Sequence, residues 1–441
     1  MVQTTTGRAY ILIASGFVLL YSIIGPSKVH ANPVFARQYN TSCFTCHTSP
    51  PLLNEFGRRF QANGYQLPST SDKIAEAARS TFPLGLVVTP MVSRSQVEDH
   101  LTGIQSEPTT SFGGIMMRFF SSASLGSHFS YYAGIPVTVA NGETSIEIET
   151  IHLLYTDALA DGRGTLNFQF GKFLLFAPFT PMFLLSGEDP IVYNSMHYNP
   201  LGERTTANTL YLTDPMFGVS AFGTIYTIGQ GLRWQVGMVG GNNSDVDLAS
   251  ARAVFGSLDQ TVFLQNAPAR VGAFFFSGFQ DVSNSAAETS STMAGMPGMG
   301  GGTSAALANP WRNHVTRVGF DAEITDPWTK RINLFGEFMT GLDDNIDSLG
   351  TSYEMRGGFV GMNVILLPEK LFAYGRYDWM QRLTVAEDHT AIDVGLRYHF
   401  LPNVVATGGV TITKENITQT AYQMRLDQTT TTYRAGFLFG F

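Results

Sequence analysis

The residues best suited to chemistry sit together near the start of the chain: Cys43, Phe44, Thr45, Cys46 and His47. Cys43 and Cys46 are the only cysteines, and the histidine follows the second directly. Two thiols at this spacing can add across the vinyl groups of a haem, which places the adjacent histidine under the iron as proximal ligand. A disulfide between them would close a very tight loop, and a zinc site would lack a fourth ligand. The reading that uses all three residues is one covalent haem c, with Cys43 and Cys46 as attachment points and His47 as iron ligand.

Elements to position this turn follow at once. Leu53, Phe56 and Phe60 recur at helical spacing, with Asn54, Glu55, Arg58 and Arg59 on the other face, and Gly64 suits a helix stop. This predicts a short amphipathic helix covering the haem, its arginines either solvated or paired with a propionate. No methionine or second histidine lies between Asn32 and Thr81. A distal ligand is therefore expected from the rest of the chain, with Met91 and His399 as candidates.

Arg8, the apolar run Ile11 to Ile24 and the small residue closing Val29-His30-Ala31 read as a signal peptide over 1–31, the run being short for a membrane span. Its removal takes Arg8 and Lys28 away, so the net charge moves from −8 to −10. With 35 acidic against 27 basic residues, phosphate-tracking nucleic-acid binding is not expected. Only 14% of residues are charged while 12% are aromatic, and no later stretch is apolar enough for a spanning helix. The chain is then either a large soluble β-protein or a membrane barrel.

From about Phe82 the period changes to two. Ile146 and Ile148 alternate with Glu147 and Glu149. Val318, Phe320, Ala322 and Ile324 oppose Arg317, Asp321 and Glu323. Ile392, Val394, Leu396, Tyr398 and Phe400 oppose Asp393, Arg397 and His399. One face is apolar and the other charged, as in strands with lipid outside and a polar lumen inside. Alternation alone does not say which face is inside.

Connection lengths supply the missing sense. Short links at 160–164, 325–329, 367–370 and 401–403 alternate with long polar links near 177–207, 242–255, 282–311, 341–352 and 415–429. Short periplasmic turns and long outer loops are the habit of outer-membrane barrels, and the parity gives about sixteen antiparallel strands, the one near 254–265 being the weakest. Tyr433, Phe437, Phe439 and Phe441 share one face at an aromatic end of the kind outer-membrane assembly reads. The expected architecture is an all-β membrane protein: signal peptide 1–31, a small helical monohaem plug 32–81, and an outer-membrane barrel 82–441.

Two loop features are open to metal chemistry. Met293, Met296 and Met299 lie three apart in a Ser/Gly-rich stretch, which is either a flexible low-complexity loop or a thioether set for Cu(I). Glu188-Asp189, Asp245 with Asp247, and Asp343-Asp344 with Asp347 are expected in outer loops, as solvated acids or as weak sites for divalent cations.

The segments Phe35-Ala36-Arg37-Gln38, Cys43 to His47, Leu53-Asn54-Glu55-Phe56-Gly57-Arg58-Arg59-Phe60 and Asn63-Gly64-Tyr65 resemble the head of the outer-membrane cytochrome–porin fusions. The best-known of these are the iron-oxidising outer-membrane cytochromes of iron-oxidising bacteria. The motif covers about thirty residues, and the barrel resembles theirs only in length, strand number and position. The resemblance implies one covalent haem c at Cys43, Cys46 and His47, with extracellular Fe(II) as donor and a periplasmic c-type cytochrome as acceptor. It implies an electron-transfer protein with Fe(II) oxidase activity, seated among outer-membrane lipids. A porin-like channel with a structural or sensory haem, and outward transfer to an extracellular acceptor, are the alternatives.

Overall fold

The computed structural model describes residues 33–39, 41–65 and 83–441, except 127, 141–142, 161–163, 176–183, 187, 194–196, 199–203, 206–211, 226–230, 241–251, 283–310, 345–351, 384–386 and 420–423. The signal-peptide reading, the Met293–Met299 stretch, Asp245, Asp247 and Asp347 lie outside the described residues. Among the described residues no helix is long and apolar enough to cross a membrane.

The strands close into one antiparallel barrel. Eighteen segments make up the ring, and two pairs of these, Ile104–Gln105 with Thr109–Ser124 and Glu143–Ile146 with Thr150–Tyr155, each form one interrupted strand, so the barrel has sixteen strands. The strand Arg252–Leu264, at the weakest point of the sequence pattern, pairs in unbroken register with Ala267–Val282. Closure comes from Met424–Gly440 pairing with Leu84–Asp99, from Gln428 opposite Asp99 to Gly440 opposite Val87. A closed ring leaves no unpaired edge, as a sheet in lipid requires.

Burial settles the sense of the alternation. Along Glu387–Leu401, Ile392, Val394, Leu396 and Tyr398 are exposed and Phe400 is 58% exposed, whereas Asp393 and Arg397 are buried and His399 is 2% exposed. Along Trp311–Thr325, Phe320 is exposed while Arg317 is 1% exposed. Apolar side chains outside and charges inside invert a soluble core, and this is the arrangement of a membrane-spanning barrel. Tyr433, Phe437 and Phe441 point outward, and the Phe439 ring stacks on Phe437 at 5.9 Å.

Two sequence expectations change. The link near 415–429 is shorter than read, because the strands run on to Gln419 and resume at Met424. The stretch 177–207 is not a purely polar outer loop. Leu184, Leu185, Val192 and Tyr193 are buried inside the barrel, with a short helical turn at Ile191–Tyr193. Leu184, Val192 and Tyr193 join Phe255, Phe335 and Phe359 in a cluster shared by strands from Asn167–Phe173 round to Leu371–Arg382. Apolar side chains in a loop are removed from water only if the loop folds inward.

Candidate functional site

The head preceding the barrel is built from three short helices: α1 (Pro33–Gln38), α2 (Cys43–Cys46) and α3 (Glu55–Ala62). Ser42 caps α2 by accepting from Phe44 N. The Asn54 side chain accepts from Gly57 N to cap α3, while its amide donates to Phe44 O at 3.2 Å and Thr45 O at 3.0 Å. One residue thus starts α3 and ties it to α2. Gly57 permits the contact: a Cβ there would stand 2.1 Å from Cys46 O. The C-terminal end of α3 has Gly64 at φ +64, Tyr65 N donating to Phe60 O at 2.9 Å and Gly64 N to Gln61 O at 3.0 Å, the Schellman pattern. Gly64 is thus the helix stop read from sequence. The cover helix departs from its reading at Phe56, which is 44% exposed, so the packed face is carried by Gly57 and Phe60 instead.

The head lies within the end of the barrel that carries the short turns, which is the periplasmic end in barrels of this type. Arg37 donates to Leu84 O, Gln38 Nε2 to Ser122 O at 2.9 Å, Ser130 Oγ to Gly64 O at 2.8 Å, and Asn167 Nδ2 to Ala62 O at 3.3 Å. Arg58 meets Glu323 at 2.5 and 2.8 Å, so it is neither solvated nor free for a propionate. Arg59 pairs with Glu55 at 3.0 Å. Arg397 donates to Pro50 O at 2.6 Å, and Ser49 Oγ bonds His399 Nε2 at 2.8 Å.

Cys43, Cys46 and His47 occupy one turn, both thiols free and Cys43 buried. Burial pushes the Cys43 thiol up to about 12, the nearby Cys46 adding to the effect, and pushes Cys46 up to about 11. Burial also lowers His47 to about 4, which keeps its imidazole neutral at neutral pH, as ligation of iron requires. His47 Nδ1 lies 3.0 Å from Pro51 O. A ligating histidine commonly gives its other ring N–H to a carbonyl, which fixes the tautomer and leaves Nε2 for the metal. The donor set therefore fits a c-type haem: two thiols, and an imidazole held by a backbone acceptor. A cavity of about 210 Å³ opens one residue further on, between Thr48, Leu52 and Leu53 of the head and Leu185, Ile365 and Phe372 of the barrel and its inner loop, and neither cysteine lines it.

Of the two distal candidates, the structure brings one to the head. His399 is buried, its ring 5.4 Å from that of Phe44 and 5.3 Å from that of Phe372. Met91 lies opposite Gly436 on the neighbouring strand, half-exposed, and has no tie to the His47 segment among the described residues.

Above the head the inner loop is fastened to the wall. Arg376 donates to Ser186 Oγ at 3.0 Å, Glu188 O at 2.8 Å and Asp189 O at 3.2 Å. Arg434 pairs with Glu188, Ile191 N donates to Asp378 at 3.4 Å, and the Tyr193 hydroxyl donates to Glu337. The loop is thus tied to the wall through the Glu188 carboxylate and through the carbonyls of Glu188 and Asp189, where the sequence pattern placed outer-loop acids. Asp343 is also inside, paired with Arg317 at 2.9 Å, and Asp344 pairs with His314 at 3.2 Å. Sequence reading missed this loop although Ile191-Val192-Tyr193 is a clear apolar signal within it.

No family model matches the sequence, and no curated protein matches it. Solved structures do. The anion-selective porin from Comamonas acidovorans superposes with a TM-score of 0.53 at 10% identity, covering 81% of this chain and 99% of that one. OprB from Pseudomonas putida gives 0.47 at 9% identity, over 84% and 96%. OmpT from Vibrio cholerae gives 0.47 at 11% identity, over 81% and 97%. The chain has a porin-like, outer-membrane-type sixteen-stranded barrel fold.

Proposed function

We propose that this protein carries single electrons across the outer membrane through one haem c held by Cys43, Cys46 and His47. The observation that carries the reading is the placement of the Cys43–His47 turn, with His47 fastened to Pro51, inside the lumen of a membrane barrel. A bound haem c would supply a one-electron couple. The residues of the chain do the rest. His47 presents a neutral, oriented imidazole. Arg58, Arg397 and Gln38 hold the head at fixed depth in the barrel. The Leu184–Tyr193 loop and its apolar cluster occupy the lumen above it, which disfavours a continuous water column. Electrons cross such a barrier more readily than hydrated solutes do. Extracellular Fe(II) is the donor on this reading, since its oxidation is a one-electron step, and a periplasmic c-type cytochrome is the acceptor.

A second reading is a porin-like channel whose haem is structural or sensory. The fold likeness to an anion-selective porin favours it more directly than it favours electron transfer. Outward transfer to an extracellular acceptor would use the same groups in reverse.

The test is outer membranes bearing the protein, with passage of free iron blocked and Fe(II) added outside. A growing reduced-haem absorption band is expected, and covalent haem staining that vanishes in Cys43→Ala with Cys46→Ala. Haem that stays oxidised while a permeant reductant reduces it at once would sink the iron reading. Ion conductance by the unmodified barrel would favour the channel.

A further inference from the structure

We propose that His399 of the barrel wall is the second axial ligand of the haem iron attached at Cys43–His47. The proposal rests on the cytochrome reading above and extends it, because the head offers neither of the usual second ligands of a haem c: residues 32–81 contain no methionine and no histidine besides His47.

Three observations converge on His399. It touches the attachment segment on both sides of His47, its ring packing against Phe44 at 5.4 Å and its Nε2 bonding Ser49 Oγ at 2.8 Å. Extended chain advances at most about 3.6 Å per residue, so Ser49 holds this imidazole within two residues' reach of the proximal ligand. The ring is 2% exposed, and its Nδ1 is buried without a hydrogen-bond partner. A buried polar nitrogen without a partner calls for an explanation, an absent ion being one of them.

The other barrel histidines whose side chains are described make their contacts elsewhere. His314 pairs with Asp344, and His389 lies between Glu387 at 2.6 Å and Glu415 at 3.4 Å, both near the opposite rim. His100 bonds Thr429 at 2.8 Å, and His128 Nδ1 bonds Thr156 O at 2.9 Å. His152, whose Nδ1 is also buried without a partner, stacks on Tyr132, which stacks on Tyr65 at the C-terminal end of α3, so only its place in the barrel separates it from His399. A Ser49 hydroxyl is a neutral, weak partner that the imidazole can exchange for iron, and the Phe44 and Phe372 rings pack against the imidazole. The consequence is structural as well as electronic: ligation would join head to barrel through the metal, so the iron would become low-spin only after the head docks.

The experiment compares the purified, haem-loaded full-length protein with His399→Ala, His152→Ala and Ser49→Ala. Barrel folding is read by heat-modifiable gel mobility and covalent haem by staining on denaturing gels. The unmodified protein should show the low-spin spectrum and electron paramagnetic signature of two imidazoles, without a sulfur-to-iron charge-transfer band. His399→Ala should retain stained haem but become high-spin, with added imidazole restoring the low-spin bands. His152→Ala and Ser49→Ala should stay low-spin. A sulfur-to-iron band in the unmodified protein overturns the proposal even if His399→Ala fails to fold. Low-spin haem in His399→Ala without added imidazole overturns it too. Absence of stained haem in the unmodified protein sinks the cytochrome reading itself, and this proposal with it.

Discussion

Arg58 of the head and Glu323 of the barrel wall, 265 residues apart, meet end-on through the two terminal guanidinium nitrogens at 2.5 and 2.8 Å. Asn333 also donates to the carboxylate at 2.9 Å, and Arg270 lies at 3.4 Å. The pair sets the depth and rotation of the head, because a two-pronged contact fixes direction as well as distance.

Arg58→Ala should loosen the head without opening the barrel. Removing one partner of a mostly buried pair costs about 3–5 kcal/mol, and the low end applies because Arg270 still serves Glu323. Limited proteolysis should then cut the head while the barrel keeps its heat-modifiable mobility. The exchange Arg58→Glu with Glu323→Arg should recover part of the protection. Equal protection in Arg58→Ala and the unmodified protein would show that the pair does not hold the head.

Gly57→Ala should separate the two helices that form the attachment turn. The added methyl would stand 2.1 Å from Cys46 O and 2.9 Å from Leu53 Cδ2. Overpacking of this kind costs about 1–3 kcal/mol, and here backbone must move to relieve it. Covalent haem yield should fall several-fold while barrel assembly is unchanged, and gel staining against total protein checks this.

The thiols of the haem-free folded protein should be slow nucleophiles. Burial raises Cys46 from 9.0 to about 11 and Cys43 from 9.0 to about 12. At neutral pH the reactive thiolate is then reduced about a hundredfold at Cys46 and about a thousandfold at Cys43, a tenfold change per pKa unit. Because the shifts are upward, alkylation should still be accelerating above pH 9, where an exposed cysteine levels off. Mass spectrometry of alkylated peptides should find Cys46 modified first. Equal rates in folded and denatured protein would contradict the burial of this turn, and slow rates imply that haem is attached before the head docks.

Arg376→Ala should release the inner loop, which loses its bonds to Ser186 Oγ and to the carbonyls of Glu188 and Asp189. Reconstituted in planar bilayers, the unmodified barrel should be nearly silent and the variant should conduct in bursts as the loop moves. A large, steady conductance in the unmodified protein would show that the loop and head leave a path for ions, and would favour the channel reading.

By itself the sequence determined what depends on neighbours along the chain. The spacing of Cys43, Cys46 and His47 defines one turn whatever surrounds it, and the alternation of Ile392 to Phe400 against Asp393 to His399 defines a strand with two unlike faces. Turn parity added the strand number, because each hairpin reverses the chain. Connection lengths argued for the apolar face outside, but a period of two is the same read from either side, and the burial of the charged face in the closed ring decided it. Tertiary structure also decided that Arg58 answers Glu323, that Glu188 and Asp189 lie within the barrel, and that His399 rather than Met91 reaches the head. Each of these joins residues brought together only when the ring of strands closes, a contact between distant segments that no local pattern of residue types encodes.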